Sequence, residues 1–170
     1  MSDYEDFEVQ PDELIVLQSL ENELGTRIYK ASVQRIEADT KNNLFSLDAS
    51  NHINALRMVS AVSMEESLGH IPHGICSLKY LEKLYIIGQN ISDIPKSISN
   101  LSKLIVINLW SNPVEYIPHF LIEMENLKAF FLSGFNSVLP YINLLPYLKS
   151  VKFDRKLEIG KLWRVIENQD

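Results

Sequence analysis

The chain has 170 residues, of which 46% are hydrophobic and 22% charged, which is typical of one globular domain. Its apolar runs are far shorter than the roughly 20 residues that span a bilayer, and its acidic start is unlike a secretion signal, so we expect a cytoplasmic protein without a membrane partner. A single cysteine, Cys76, cannot form an intramolecular disulfide.

The net charge of −6 comes from the first thirteen residues, which hold six acidic residues and no basic one. Without those six, sixteen acidic residues balance sixteen basic ones. A balanced body argues against nucleic acid as the partner. Residues 1–10 are predicted to form an acidic, flexible leader.

Residues 11–52 are predicted to form an N-terminal cap made of a helix and a hairpin. Pro11 begins a helical pattern that Gly25 ends. Lys41-Asn42-Asn43 predicts a turn before a strand at Leu44–Leu47, and a second turn leads into the next strand. The apolar residues of the helix are Leu14, Ile15, Leu17, Leu20 and Leu24.

A repeated segment dominates residues 53–153. Each copy has a large apolar residue at its first, fourth and sixth places, which indicates a short strand with one buried face. Three copies begin 23 residues apart, an earlier copy begins 28 residues before them, and a later copy begins 21 residues after them. In chain order the copies begin at Ile53, Leu81, Leu104, Leu127 and Leu148.

A second phrase separates these strands and pairs an aliphatic residue with proline. Proline suits a return segment of irregular or short helical structure, because it fixes φ and donates no backbone hydrogen bond. One such strand-and-return unit cannot bury its own apolar face, whereas stacked units share a continuous core and a parallel sheet. The phrase occurs at Ile71-Pro72, Ile94-Pro95, Ile117-Pro118 and Leu139-Pro140.

From Ile53 to Phe153 the chain resembles the leucine-rich-repeat family, in its class of roughly 23 residues with a Leu-Pro phrase, and is similar to small microbial and archaeal members. The resemblance implies an α/β solenoid, with a curved parallel sheet on the concave side and irregular or short helical segments on the convex side. It also implies terminal caps: the helix and hairpin before the repeats, and a helical cap after them.

The family's ladder asparagine is matched by Asn112. Gln89 and Phe135 stand at that place in two other repeats. Either Asn90 and Asn136 replace them through a slip of one residue, or the ladder is imperfect.

Residues 154–170 are predicted to form the C-terminal cap helix, beginning at Asp154. A solenoid exposes apolar surface at its ends and needs such a cap. A partner-binding amphipathic helix is the alternative interpretation. The apolar residues are Leu157, Leu162, Trp163 and Ile166.

No nucleophile motif, phosphate loop or nucleotide fingerprint appears, so we predict no catalytic residue and no cofactor. His73 and His119 occupy the same place two repeats apart, about 10 Å or more, which is too far for one zinc ion. His70 and His73 alone would make an incomplete site, so no metal site is predicted.

Cys76 is interpreted as a small buried or half-buried side chain that fills space in the core.

The third, fifth and seventh places of each repeat should face away from the core. On the central repeats they bring together apolar and aromatic side chains with Trp110 in the middle, and exposed clusters of this kind mark interfaces. The alternative is that terminal segments fold over this face. The predicted partner-binding residues are Lys83, Tyr85, Ile87, Val106, Asn108, Trp110 and Phe131.

The sequence therefore predicts a non-catalytic interaction module that binds a protein or peptide on the concave face. The alternatives are a self-associating structural protein that forms a homodimer, and an accessory or regulatory subunit of an enzyme such as a small GTPase.

Overall fold

A computed structural model describes residues 8–60, 67–114, 116–118, 120–132, 142–143 and 164–166. The fold mixes α and β structure around a mostly parallel sheet. The strands in these ranges are β1 (Tyr29–Lys30), β2 (Leu44–Leu47), β3 (Ile53–Val59), β4 (Lys83–Ile87), β5 (Val106–Leu109), β6 (Tyr116–Pro118), β7 (Ala129–Leu132), β8 (Ile142–Asn143) and β9 (Arg164–Ile166).

The strands of the described residues form a seven-stranded sheet in the order β1-β2-β3-β4-β5-β7-β8, while β6 and β9 pair separately in parallel. The run β3-β4-β5-β7 is parallel, and its register aligns the fourth places of these four repeats. The predicted strands and their mutual register are therefore confirmed from Ile53 to Leu132. The aligned residues are Leu56, Leu84, Ile107 and Phe130.

The core lies on the face of the sheet that carries the fourth and sixth places of the repeats. These side chains are buried because they pack against return segments on the same side. Two returns are 3₁₀ helices, η1 (His73–Ser77) and η2 (Lys96–Asn100), and each follows the proline of its phrase. The third is the short helix α3 (Phe120–Glu123). Each return buries one aliphatic side chain at the matching place: Ile75, Ile98 and Leu121.

The N-terminal helix α1 (Pro11–Leu24) ends at Gly25, whose φ of 65° lies in the left-handed region that ends helices. Leu17 and Leu20 are buried as predicted. Ile15 faces away from the core and is 67% exposed. Val16 is buried and packs beside Gly74 of η1, where an added Cβ would lie 3.4 Å from Cγ1 of Val16.

A buried carboxylate ties α1 to the first repeat strand. Glu13 is 4% exposed, and its Oε2 accepts a 2.6 Å hydrogen bond from the backbone N–H of Ile53, at the start of β3. Its Oε1 lies 3.2 Å from Nδ1 of His52, whose ring stacks on Tyr80 with centroids 3.6 Å apart. The helix thus supplies an acceptor for a backbone donor at the start of the first repeat strand.

The strand predicted at Leu44–Leu47 is present as β2, and it pairs antiparallel with the first repeat strand, β3. A second helix, α2 (Val33–Ala38), precedes it and was not predicted. Oγ of Ser32 accepts from the N–H of Arg35 at the start of α2. After the helix, Oδ1 of Asp39 accepts from the N–H groups of Lys41 and Asn42, both at 2.8 Å, and so holds the predicted turn.

The predicted boundary of the flexible leader was wrong. Val9 is buried, Nε2 of Gln10 donates to the carbonyl of Ser50, and Oε2 of Glu8 accepts from Nδ2 of Asn51. The cap therefore includes residues 8–10, because the turn between β2 and β3 offers polar partners to these side chains. Residues 1–7 lie outside the described residues.

At the other end, two expectations differ from the structure. Residues 164–166 of the predicted cap helix form β9, beside β6. The position next to β7 is taken by β8, which runs antiparallel. The connection from β7 to β8 spans only residues 133–141, and a parallel crossover needs a dozen residues or more. The repeat beginning at Leu148 and the rest of the predicted cap helix lie outside the described residues.

Candidate partner-binding face

The front face is defined here as the side of β3, β4, β5 and β7 that carries the third, fifth and seventh places of the repeats. The fifth places align in one row, as predicted from the repeat spacing. This row crosses the sheet as Arg57, Tyr85, Asn108 and Phe131.

The helix α2 covers the N-terminal part of the front face. Ile36, the buried residue of this helix, is fully enclosed in a second apolar cluster. This cluster is separate from the main core and consists of Ile36, Leu44, Ala55, Tyr85 and Ile87. An intramolecular segment therefore occupies part of the surface that the sequence assigned to a partner.

Polar contacts hold α2 on the sheet. Nη1 of Arg57 donates a 3.0 Å hydrogen bond to the carbonyl of Ile36, and the guanidinium lies 5.6 Å from the ring centre of Tyr85. The Lys83 ammonium forms an ion pair with Glu37. Arg57 is buried, so its bond is shielded from water, whereas the ion pair lies at the rim.

The prediction of one contiguous exposed cluster is therefore wrong. Tyr85 and Ile87 are 6% and 8% exposed, because they pack with Ile36. Asn108 is 2% exposed and lies between the larger Tyr85 and Phe131 of the neighbouring strands. Lys83, Val106 and Phe131 are half-buried.

Trp110 is the exception, since its side chain is 44% exposed, as predicted. It follows β5 directly, where the chain leaves the sheet. Val106 on β5 and Phe131 on the neighbouring strand β7 are half-buried apolar residues of the front face. The residue Ser111 after it has a φ of 60°, a conformation that costs a residue with a Cβ some energy.

The backbone of Trp110 is bonded on both sides. Its N–H donates to Oδ1 of Asn108 at 3.0 Å. Its carbonyl accepts from the N–H of Gly88 at 3.0 Å and from Nδ2 of Asn112 at 3.1 Å. The exposed indole is thus carried on a backbone held to its own strand and to the preceding repeat.

Asn112 forms the predicted ladder contact. It is 1% exposed, and its Oδ1 accepts from the N–H groups of Gln89 and Ile91, both at 3.0 Å. Its Nδ2 also donates to the carbonyl of Ile86 at 2.7 Å. One amide therefore bonds two consecutive repeats together.

In the preceding repeat the buried ladder position is filled by Gln89. Its Oε1 accepts from the N–H of Leu68, while Asn90 is exposed with a φ of 56°. The ladder therefore continues with a glutamine and without a slip at this repeat. Residues 135 and 136 lie outside the described residues.

The remaining polar candidates have separate contacts. Within the described ranges, no three histidine, cysteine or acidic side chains are grouped closely enough to hold a metal ion. Nδ1 of His70 lies 2.9 Å from the carbonyl of Leu68, and its Nε2 lies 3.8 Å from Glu23. Cys76 is half-buried and its thiol donates to Oγ of Ser97, which confirms its role as a filler between returns.

Sequence reasoning missed α2 and its contacts with the front face. The available signal was local: Ser32 could cap a helix that has Ile36 as its buried apolar residue, and Asp39 could start a turn.

None of the helices in the described part of the chain is both long and apolar enough to cross a membrane.

Comparison with known proteins gives a distant similarity. Over 92 residues the chain is 28% identical to the human (Homo sapiens) volume-regulated anion channel subunit LRRC8E, a match that covers 53% of this chain and 11% of that protein. No protein-family model matches the chain. The partial match points to a distant relationship with leucine-rich-repeat proteins.

Proposed function

We propose that the chain is a leucine-rich-repeat solenoid that acts as a non-catalytic protein-interaction module. The two-part repeat, the parallel run of β3, β4, β5 and β7, and the partial similarity to human LRRC8E support this class. We place its action in the cytoplasm, where a lone thiol such as Cys76 stays reduced.

The partner, a protein or peptide, binds at the front face beyond α2. The supporting observation is the exposed indole of Trp110, which follows the strand that carries the half-buried Val106; Phe131 on the neighbouring strand is also half-buried. A tryptophan that enters a pocket of a partner commonly carries a large share of the binding energy. The cover by α2 removes Tyr85 and Ile87 from direct contact and shifts the expected interface towards β5 and β7. Asn108 is buried between Tyr85 and Phe131 and is also removed from direct contact.

The test compares capture of proteins from native lysate by the parent and two variants. Trp110→Ala should weaken capture of the specific partner at least tenfold while changing the free energy of unfolding by less than about 1 kcal/mol. Tyr29→Ala is the matched control, because Tyr29 is also an exposed aromatic residue, at 60%, but lies on the edge strand β1.

Equal capture by the parent and Trp110→Ala would contradict the proposed site. Light scattering over a range of concentrations separates the alternative of self-association. A mass that doubles with concentration in the parent, and stays monomeric in Trp110→Ala, would identify the partner as a second copy of the chain.

A further inference from the structure

We infer that Asn108 is a positioning residue that fixes Trp110 for binding and does not itself contact the partner; this deepens the proposed function and rests on it. Asn108 is 2% exposed, so a partner that docks on the front face cannot reach its amide without displacing its neighbours. Its Oδ1 instead accepts the N–H of Trp110, two residues along the chain.

The hydrogen bond between Trp110 and Asn108 pairs a backbone N–H just beyond the end of β5. A backbone N–H that leaves a strand loses its sheet partner, and an asparagine side chain can replace it two residues away. The next residue, Ser111, has a φ of 60° and so needs support from its surroundings. Asn108 and Asn112 together provide this support on the two sides of Trp110.

The consequence for binding is pre-organisation. An aromatic side chain on a fixed backbone loses little conformational freedom when a partner buries it. The entropy cost of binding is therefore smaller, and the affinity is higher. Asn108 therefore acts on affinity through the orientation of Trp110.

The test uses the fluorescence of Trp110 in the full chain with Trp163, the other tryptophan, replaced by phenylalanine. Asn108→Leu keeps a side chain of similar size but removes the acceptor oxygen, and Asn108→Asp keeps that oxygen. We expect Asn108→Leu to lower the fluorescence anisotropy of Trp110 and to raise its acrylamide quenching constant about twofold. We expect Asn108→Asp to stay closer to the parent than Asn108→Leu in both measurements, because it keeps the acceptor although it buries an ionisable group.

Unchanged anisotropy and quenching in Asn108→Leu would overturn the inference, as would equal losses in both variants. If Asn108→Leu fails to fold, hydrogen exchange in the parent decides: slow exchange of the Trp110 amide supports the bond, and exchange at the rate of an open chain overturns it. These readouts need no partner. If these readouts change as expected while Trp110→Ala still captures partners as well as the parent, the proposed function alone is refuted.

Discussion

At the scale of single residues, Asn112 shows how one buried amide stabilises neighbouring repeats. Asn112→Ala would leave the N–H groups of Gln89 and Ile91 without their acceptor in a buried site. We expect a loss of about 2–4 kcal/mol in the free energy of unfolding, since each unsatisfied buried donor costs about 1–3 kcal/mol. Urea denaturation measures this loss.

The matched control is Asn126→Ala. Nδ2 of Asn126 also bonds a backbone carbonyl of the preceding repeat, that of Ser102, but the contact is exposed to water. Its removal should cost less than about 1 kcal/mol, because water can replace the bond. Equal losses in the two variants would show that burial of the ladder amide is unimportant.

Asp39 gives the turn after α2 a dependence on pH. Hydrogen bonds from the backbone N–H of Lys41 and from the Asn42 side chain lower the pKa of Asp39 to about 2. A lowered pKa in the folded state means that the charged carboxylate stabilises the fold above its ordinary pKa of 3.8, and that this contribution is lost as the pH falls towards 2.

We therefore expect Asp39→Ala to be less stable than the parent at pH 6, with a difference that narrows between about pH 4 and pH 2. Denaturant titrations at a series of pH values test the expectation. A stability difference that stays constant down to pH 2 would mean that the charge of Asp39 does not hold this turn.

The residue scale also explains why the candidate site was only partly predictable. Strand alternation correctly placed Tyr85, Asn108 and Trp110 on the front face, because the direction of a side chain follows from position in a strand. Exposure depends on what lies above the strand, and alternation contains no information about that. The sequence therefore predicted which residues share the front face but overestimated the exposed area of that face.

At the scale of elements, α1 offers two aliphatic residues that differ mainly in burial. Leu17 is fully buried, whereas Ile15 is 67% exposed. Leu17→Ala should cost about 2–5 kcal/mol, and Ile15→Ala less than about 1 kcal/mol. Chemical denaturation of both variants distinguishes a packed cap from a loosely attached helix, for which the two losses would be similar.

The success of the sequence predictions also varied from element to element. The repeat strands were predictable because their apolar spacing recurs, and α1 because it spans four turns between Pro11 and Gly25. In contrast, α2 has six residues and buries only Ile36, so its sequence carries no helical period. Its position depends on tertiary contacts, namely the apolar cluster beneath it and the bond from Arg57.

At the scale of the whole molecule, one core cluster extends from α1 to β7. Leu17 in α1 and Leu109 in β5 are both buried members of it. We expect Leu17→Ala and Leu109→Ala each to shift a single unfolding transition, the latter also by about 2–5 kcal/mol. Circular dichroism and tryptophan fluorescence should report the same midpoint in each variant. Separate midpoints for the two signals would mean that the cap and the repeats unfold independently.

The antiparallel strands on either side of the parallel run affect how readily further chains can add to the edges of the sheet. An open row of parallel strands is a template on which further chains can add without limit, as in fibrils. Here the run from β3 to β7 is bordered by β2 and β8, both antiparallel to it, and the edge strands β1 and β8 have two residues each. Such short edges offer an incoming strand few backbone bonds. Within the described part of the chain, both edges of the sheet are therefore poor templates for end-to-end polymerisation.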